Sequence, residues 1–176
     1  NTSSTFSGPT LVKQGTLSLP FTAAMPSGNV VTVNAQGGEA RIDLGGSSQT
    51  FGQLTLGGVS TSANSSNVVT LGSSTGYLTI GGTSAGSINY VASSSAATDP
   101  AMAIIKEGTV SLANGGTINV ANSANAAIDL YVSSALAATS TITKTGAGTL
   151  MLAGGGTNLT GNLVASAGTL LVGSVF

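Results

Sequence analysis

The side chains able to do acid–base or metal chemistry are few in this sequence and lie far apart. The 176 residues include no His and no Cys, which excludes a thiol nucleophile, a Ser-His-Asp triad, a disulfide framework and a zinc site of the usual nitrogen and sulfur type. Cleavage of a glycosidic bond needs two carboxylates facing that bond. The carboxylates are Glu39, Asp43, Asp99, Glu107 and Asp129. Because no motif pairs two of them, we predict no catalytic, cofactor-binding or metal-binding residue and a protein that is not an enzyme.

The one concentration of charge lies in the segment 39–44. Glu39, Arg41 and Asp43 alternate there with apolar residues, so all three are expected on the exposed face of one strand. They could belong to a site that acts on a polysaccharide. We predict instead a solvated stripe of ion pairs, in which each pair contributes about 0–1 kcal/mol to stability.

Three of the four basic residues recur in a shared context. Lys13, Lys106 and Lys144 each precede a glycine, a threonine and an apolar pair. These lysines could bind anionic sugars. We predict instead that they flank chain reversals and hinder the pairing of exposed strand edges.

Motifs that bind phosphate or calcium are missing from the sequence. No GxxxxGK loop followed by Ser or Thr is present, no GxGxxG opens a helix, and no Asp-containing calcium nonapeptide repeats. Asn1, Asn64 and Asn158 begin N-x-S/T sequons, which mark surface attachment in a host that glycosylates them.

The composition limits the partners and the compartment. Charged residues make up 5% of the chain, the net charge is −1, and no run of about 18 apolar residues occurs, so nucleic-acid binding and membrane insertion are not expected. A hydrophobic content of 41% argues against disorder. A surface of Ser, Thr, Asn and Gly is typical of secretion, and we predict an extracellular or bacterial cell-surface protein. Since the first residue is Asn1, with no leader before it, we expect a removed signal peptide or a segment of a longer polypeptide.

Short apolar pairs, each with one residue between its members, recur along the chain and are separated by glycine-rich turns. Such alternation predicts half-buried strands, and turns every 8–15 residues or so predict an all-β fold. The pairs are Leu17/Leu19, Val31/Val33, Ile42/Leu44, Leu54/Leu56, Val69/Leu71, Leu78/Ile80, Ile88/Tyr90, Val110/Leu112, Ile118/Val120, Ile128/Leu130, Leu150/Leu152 and Leu170/Val172. The segments 99–105 and 135–138 could each form a turn of helix instead.

Internal similarity favours a repeat architecture. The three lysine blocks resemble one another, and so do Leu54–Gly58 and Leu78–Gly82, which pair a strand with a double glycine. We therefore predict a parallel β-helix with irregular coils, forming a single β-solenoid domain over residues 1–176. A β-sandwich is the alternative, although aromatic residues make up only 4% of the chain.

Residues 142–172 resemble the autotransporter-associated, or passenger-associated, β-strand repeat of bacterial surface proteins. The resemblance rests on Lys144 followed by Gly146-Ala147-Gly148-Thr149-Leu150 at its start and on Gly168-Thr169-Leu170 at its end. The middle departs from the family pattern, with Leu159 where an aromatic residue usually stands. The resemblance implies a right-handed parallel β-helix exported to the surface of a Gram-negative-type bacterium, with no catalytic residue.

The expected function follows from the two ends of such a solenoid. Each end exposes an apolar cross-section and unpaired strand edges, and this sequence has almost no charge to protect them. We predict a structural, self-associating extracellular protein, a subunit of a filament, sheath or surface layer built by end-to-end stacking. The alternative is a passenger or stalk segment of an adhesin that binds glycans or a host surface.

Overall fold

The computed structural model describes residues 4–59, 62–93, 95–154 and 158–173, and within these ranges the chain is all-β, without a helix. This confirms the all-β part of the predicted fold. The strands are short because each ends at a glycine-rich or polar turn. Those of the described residues are β1 (Thr10–Val12), β2 (Gly15–Ser18), β3 (Val30–Val33), β4 (Glu39–Asp43), β5 (Ser48–Phe51), β6 (Gln53–Gly57), β7 (Ser66–Thr70), β8 (Tyr77–Ile80), β9 (Gly86–Val91), β10 (Ala103–Lys106), β11 (Thr109–Ser111), β12 (Gly116–Val120), β13 (Leu130–Val132), β14 (Ala135–Ala137), β15 (Ile142–Thr145), β16 (Thr149–Leu152), β17 (Leu163–Ala165) and β18 (Thr169–Val172).

These strands form three sheets, in which every strand pair of the described residues is parallel. Sheet 1 has the order β1-β3-β6-β9-β12-β15-β17, sheet 2 the order β2-β4-β7-β10-β13-β16-β18, and sheet 3 the order β5-β8-β11-β14. Parallel neighbours cannot be joined by a tight hairpin and need a long crossover. Here the intervening strands of the other sheets supply that crossover. The arrangement of stacked parallel sheets is consistent with a β-solenoid and differs from an antiparallel sandwich.

The chain visits the sheets in a fixed order, and we call each passage a rung. Rung 1 is β1 and β2, rungs 2 to 5 each contain three strands from β3 to β14, rung 6 is β15 and β16, and rung 7 is β17 and β18. We call the connection from sheet 1 to sheet 2 the first corner of a rung. This corner is long in the middle rungs, where it spans 58–65, 92–102 and 121–129, and short near the last rung, where it spans 146–148 and 166–168.

The core consists of inward side chains stacked in register from rung to rung. In sheet 1, Val31, Leu54, Ile88 and Ile118 lie beside one another and are at most 1% exposed. Complete burial of such a side chain contributes about 1.5–3 kcal/mol. The apolar pairs found in the sequence are these inward residues, because alternate residues of a strand point to opposite faces.

Some of the described residues differ from the predicted pattern. Ile128 lies outside the strands, and Val172 is 72% exposed although its partner Leu152 is buried, because no described strand covers the last rung. The two segments that could have been helical contain strands β10 and β14 instead, and residues 99–102 form no regular element.

Candidate functional site

In the part of the chain that the structure describes, three buried side chains that carry charge lie in or directly before the first corner of rungs 4 to 6. Asp99 and Asp129 are each 1% exposed, and Lys144 is 0% exposed. Ionised groups are costly to bury unless hydrogen bonds replace the water that they lose. The partners of these three residues therefore decide what they do.

Asp99 connects rung 4 to rung 5. Its Oδ1 accepts a hydrogen bond of 2.7 Å from the Ser93 N–H in the same corner, and its Oδ2 accepts one of 2.7 Å from the Ala124 N–H in the next rung. Hydrogen bonds to a charged acceptor contribute about 1.5–3 kcal/mol each. Asp99 thus links two neighbouring corners, and both of its carboxylate oxygens accept hydrogen bonds.

Asp129 repeats this arrangement one rung further along. Its Oδ1 accepts a hydrogen bond of 2.6 Å from the Ser123 N–H, and its Oδ2 accepts one of 2.7 Å from the Thr149 N–H at the start of β16. Asp99 and Asp129 therefore hold the adjacent N–H groups of residues 123 and 124. Both oxygens of each carboxylate are bonded to backbone, which suits a structural role and leaves no exposed pair for acid–base catalysis.

Lys144 takes the place of a core residue in sheet 1, in register with Ile118 of rung 5 and Ala165 of rung 7. Its Nζ donates to three backbone carbonyls, those of Thr145 at 3.0 Å, Gly146 at 2.7 Å and Ala167 at 2.9 Å. An ammonium group has three donors, so all of them are used. Burial lowers the pKa of Lys144, and the nearby Asp129 charge acts in the opposite direction.

Gly168 makes room for this ammonium group. A Cβ added at residue 168 would lie 2.7 Å from the Lys144 Nζ, and the backbone φ of +66° there already favours glycine. Lys144 of rung 6 and Gly168 of rung 7, which both belong to the sequence motif, therefore lie next to each other in adjacent rungs.

The prediction that all three lysines hinder edge pairing is wrong for Lys144, because β15 lies between β12 and β17 and the side chain points inward. Lys13 is exposed between β1 and β2, and Lys106 is half-buried at the end of β10. The three lysine blocks also do not occupy the same position within their rungs. Those of Lys13 and Lys144 cross from sheet 1 to sheet 2, whereas that of Lys106 crosses from sheet 2 to sheet 3.

The predicted ion pair on β4 is confirmed. Arg41 Nε lies 2.8 Å from Glu39 Oε1, and both side chains are partly exposed, so the pair contributes little to stability. The hydrogen bond from Arg41 lowers the pKa of Glu39. Asp43 accepts a hydrogen bond of 2.9 Å from the Gly45 N–H at the following turn.

Glu107 also accepts hydrogen bonds, from two residues of the neighbouring rung 3. Its Oε2 accepts hydrogen bonds from Thr70 Oγ1 at 2.6 Å and from the Gly72 N–H at 2.9 Å, and its own φ is +66°. Each of the five carboxylates thus has a partner within the fold. Among the described residues, no three His, Cys, Asp or Glu side chains lie together as a metal site would require.

Tyr90 is a buried polar residue beside the first corner of rung 4. The sequence pattern identified it only as a member of an apolar pair. Tyr90 is 0% exposed, and its hydroxyl lies 3.0 Å from the Pro100 carbonyl oxygen. Ser123 Oγ donates to the same oxygen at 2.9 Å. Desolvation raises the pKa of Tyr90 to about 12. The pair Ile88/Tyr90 could have indicated a buried polar contact, because a tyrosine in a core position needs a hydrogen-bond partner for its hydroxyl.

Comparison of the chain with protein-family models, curated proteins and solved structures gives no match. The resemblance of residues 142–172 to the autotransporter-associated repeat therefore stays a prediction. Asn64 and Asn158 of the sequons are exposed, whereas Asn1 lies outside the described residues. In the part of the chain that the structure describes, no helix has the length and hydropathy needed to span a bilayer.

Proposed function

We propose that this chain is a right-handed parallel β-solenoid with a structural role outside the cell, stacking end to end as the subunit of a filament, sheath or surface layer. The observation that supports the proposal is that, among the described residues, the strands at each end of the stack contain no charged residue and have no strand paired to their outer edge. The right hand is the one that parallel crossovers adopt almost without exception.

The two terminal rungs have complementary edges. Sheets 1 and 2 begin with β1 and β2 and end with β17 and β18, and none of these four strands contains a charged residue. Natural proteins commonly protect exposed edges with charges or prolines. Parallel pairing of β17 with β1 and of β18 with β2 of a second copy would continue both sheets and cover Val172.

The side chains along the stack support a structural role. The charged groups that could do acid–base chemistry brace corners or pair on the surface, as described above. The low charge of the whole chain suits close packing of many copies, because like charges do not accumulate as the assembly grows.

The test is imaging of the purified chain by negative-stain electron microscopy, together with its mass by light scattering. We expect fibres one solenoid wide from the unaltered chain. Val172→Asp should abolish them, because it places an unpaired charge in the end contact. Thr117→Asp, on the outer face of β12 and far from both ends, adds the same charge and should leave the fibres intact. A monomer of the unaltered chain at every concentration would contradict the proposal.

The second candidate function is that of a segment of an adhesin stalk or passenger. The long first corners of rungs 3 to 5 favour this candidate. In repeat proteins, segments of variable length gathered on one side often form the binding surface. Reproducible binding to a glycan array, lost when residues 92–102 are shortened and retained when the short corner 146–148 is altered, would support this candidate.

A further inference from the structure

The outer face of sheet 1 carries an ordered set of small, uncharged polar side chains from rung 3 to rung 6. Alternate residues of β6, β9, β12 and β15 point into the core, so the residues between them face outward. Strand pairing aligns these outward residues in two columns, which we call the polar array. Its members are half-buried and are Gln53, Ser87, Thr117 and Thr143 in one column and Thr55, Asn89, Asn119 and Thr145 in the other.

The outer faces of the other two sheets lack such an array. That of sheet 2 mixes charged and large apolar residues, among them Glu39 and Ile104, and that of sheet 3 includes Tyr77, which is 39% exposed. The exposed apolar residues of sheet 1 lie outside the array, in rungs 1, 2 and 7 or at the end of β9, and are Leu11, Val30, Val91 and Val164. The polar array is therefore a continuous patch without charge and without a large apolar side chain.

Part of the array has hydrogen-bonding groups left for a partner. Asn89 Nδ2 donates to Ser87 Oγ at 3.0 Å, and Thr145 Oγ1 donates to Asn119 Oδ1 at 3.2 Å, so these four side chains hold one another in place. The other four side chains make no hydrogen bond within the described residues and are Gln53, Thr55, Thr117 and Thr143. Three of them are threonines, whose branched side chains have few rotamers. The array thus presents hydroxyl and methyl groups in fixed positions.

The spacing of the array is close to that of the water molecules in ice. Neighbouring strands lie about 4.8 Å apart, and the outward residues of one strand lie about 6.6 Å apart. A tetrahedral network of O–H···O bonds with O···O distances of about 2.8 Å places second-neighbour oxygens about 4.5 Å apart and repeats every ~7.4 Å at right angles to them. Along the stack the mismatch accumulates to about 1 Å over the four rungs, which is less than half of one hydrogen-bond length.

We propose that the polar array binds the surface of ice, with its hydroxyl and methyl groups against an ordered layer of water. The inference goes beyond the structural role proposed above and does not depend on end-to-end stacking. The lack of charge favours this partner, because a charged side chain would have to give up its own hydration at the contact. The side chains are already ordered in the folded chain, so binding costs little conformational entropy. Many weak contacts to one crystal then act together.

The test measures the size of ice crystals in an annealed frozen solution of the purified chain, and the gap between the melting and freezing temperatures of a single crystal. Thr117→Tyr/Thr143→Tyr places two rings in the array, and the control Thr50→Tyr/Thr79→Tyr makes the same changes on two adjacent rungs of sheet 3. Tyrosine is favourable on an outward strand position, so both variants should fold, and thermal unfolding would verify this. We expect the unaltered chain and the control to keep ice crystals small. The array variant should need at least ten-fold more protein for the same effect.

Two results would overturn the proposal. One is that the unaltered chain leaves ice crystals as large as they are in buffer alone. The other is that the array variant and the control are equally active, which would remove sheet 1 as the ice-binding face. If the array variant does not fold, Thr143→Tyr with the control Thr79→Tyr decides the same question. Fibre formation is measured separately by microscopy and light scattering, so failure of the stacking proposal and failure of the ice-binding proposal are distinguishable.

Discussion

Lys144 replaces a core residue with an ammonium group whose three donors all reach backbone carbonyls. Lys144→Met keeps the length of the side chain but removes the charged donor that these three carbonyls share. We expect the free energy of unfolding to fall by about 1.5–3 kcal/mol, the usual contribution of a hydrogen bond to a charged group. Chemical denaturation would measure the change. Lys13→Met removes an exposed lysine and should alter stability by less than about 0.5 kcal/mol. Equal stability of the two variants would show that the hydrogen bonds from Lys144 to the backbone carbonyls do not stabilise the fold.

Tyr90 should make stability depend on alkaline pH. Its pKa is raised from 10.0 to about 12 in the folded chain, because desolvation disfavours the phenolate. The folded state therefore holds its proton where the unfolded state has lost it. The stabilising contribution is complete below pH 10 and disappears as the pH rises through 12.

The measurement for Tyr90 is the free energy of unfolding between pH 9 and pH 12. Tyr90→Phe should remove part of the decline, whereas Tyr77→Phe, which alters a ring 39% exposed on β8, should decline like the unaltered chain. Parallel curves for both variants would mean that Tyr90 does not titrate in this range.

The sequence identifies the charged residues but not the partners that they meet. The exposed face shared by Glu39 and Arg41 follows from strand alternation alone, and the structure confirms it. Burial of Asp99 and Lys144 depends on corners that are brought together from different rungs. No periodicity within a single strand reports that contact, so those two residues could not be placed.

At the level of the strands and corners, Asp129 joins β16 to the first corner of rung 5. Asp129→Asn keeps the shape of the side chain but replaces one acceptor oxygen with an amide NH2 group, which donates and cannot accept from a backbone N–H. We expect a loss of about 1–3 kcal/mol in unfolding free energy, with earlier hydrogen exchange at Thr149. Asp43→Asn, at a half-buried position at the end of β4, provides the control. Unchanged exchange at Thr149 in Asp129→Asn would show that the carboxylate does not hold rung 6 in place.

The strand pattern was predictable because alternation and glycine-rich turns are local signals. The pairs Leu54/Leu56 and Leu78/Ile80 are both buried, as predicted. The phase of the lysine blocks was not predictable, because the same lysine–glycine–threonine sequence serves two different corners. Which corner a block occupies depends on how many residues the preceding rung uses, and the first corners vary widely in length.

At the scale of the whole molecule, the parallel order of the sheets was accessible from internal repetition, since similar units stack and share one core. The alignment of outward side chains across sheet 2 could not be predicted from the sequence. Ile104, Tyr131 and Met151 are separated by irregular intervals in the sequence, and only the register of β10, β13 and β16 aligns them.

The order of the strands also determines how the molecule would respond to tension. The first described strand and the last lie at opposite ends of the stack, so a pull applied between them acts parallel to the individual backbone hydrogen bonds and perpendicular to the strands. Such loading opens one row before the next. Under such a load the chain would therefore lengthen in successive steps, one rung at a time.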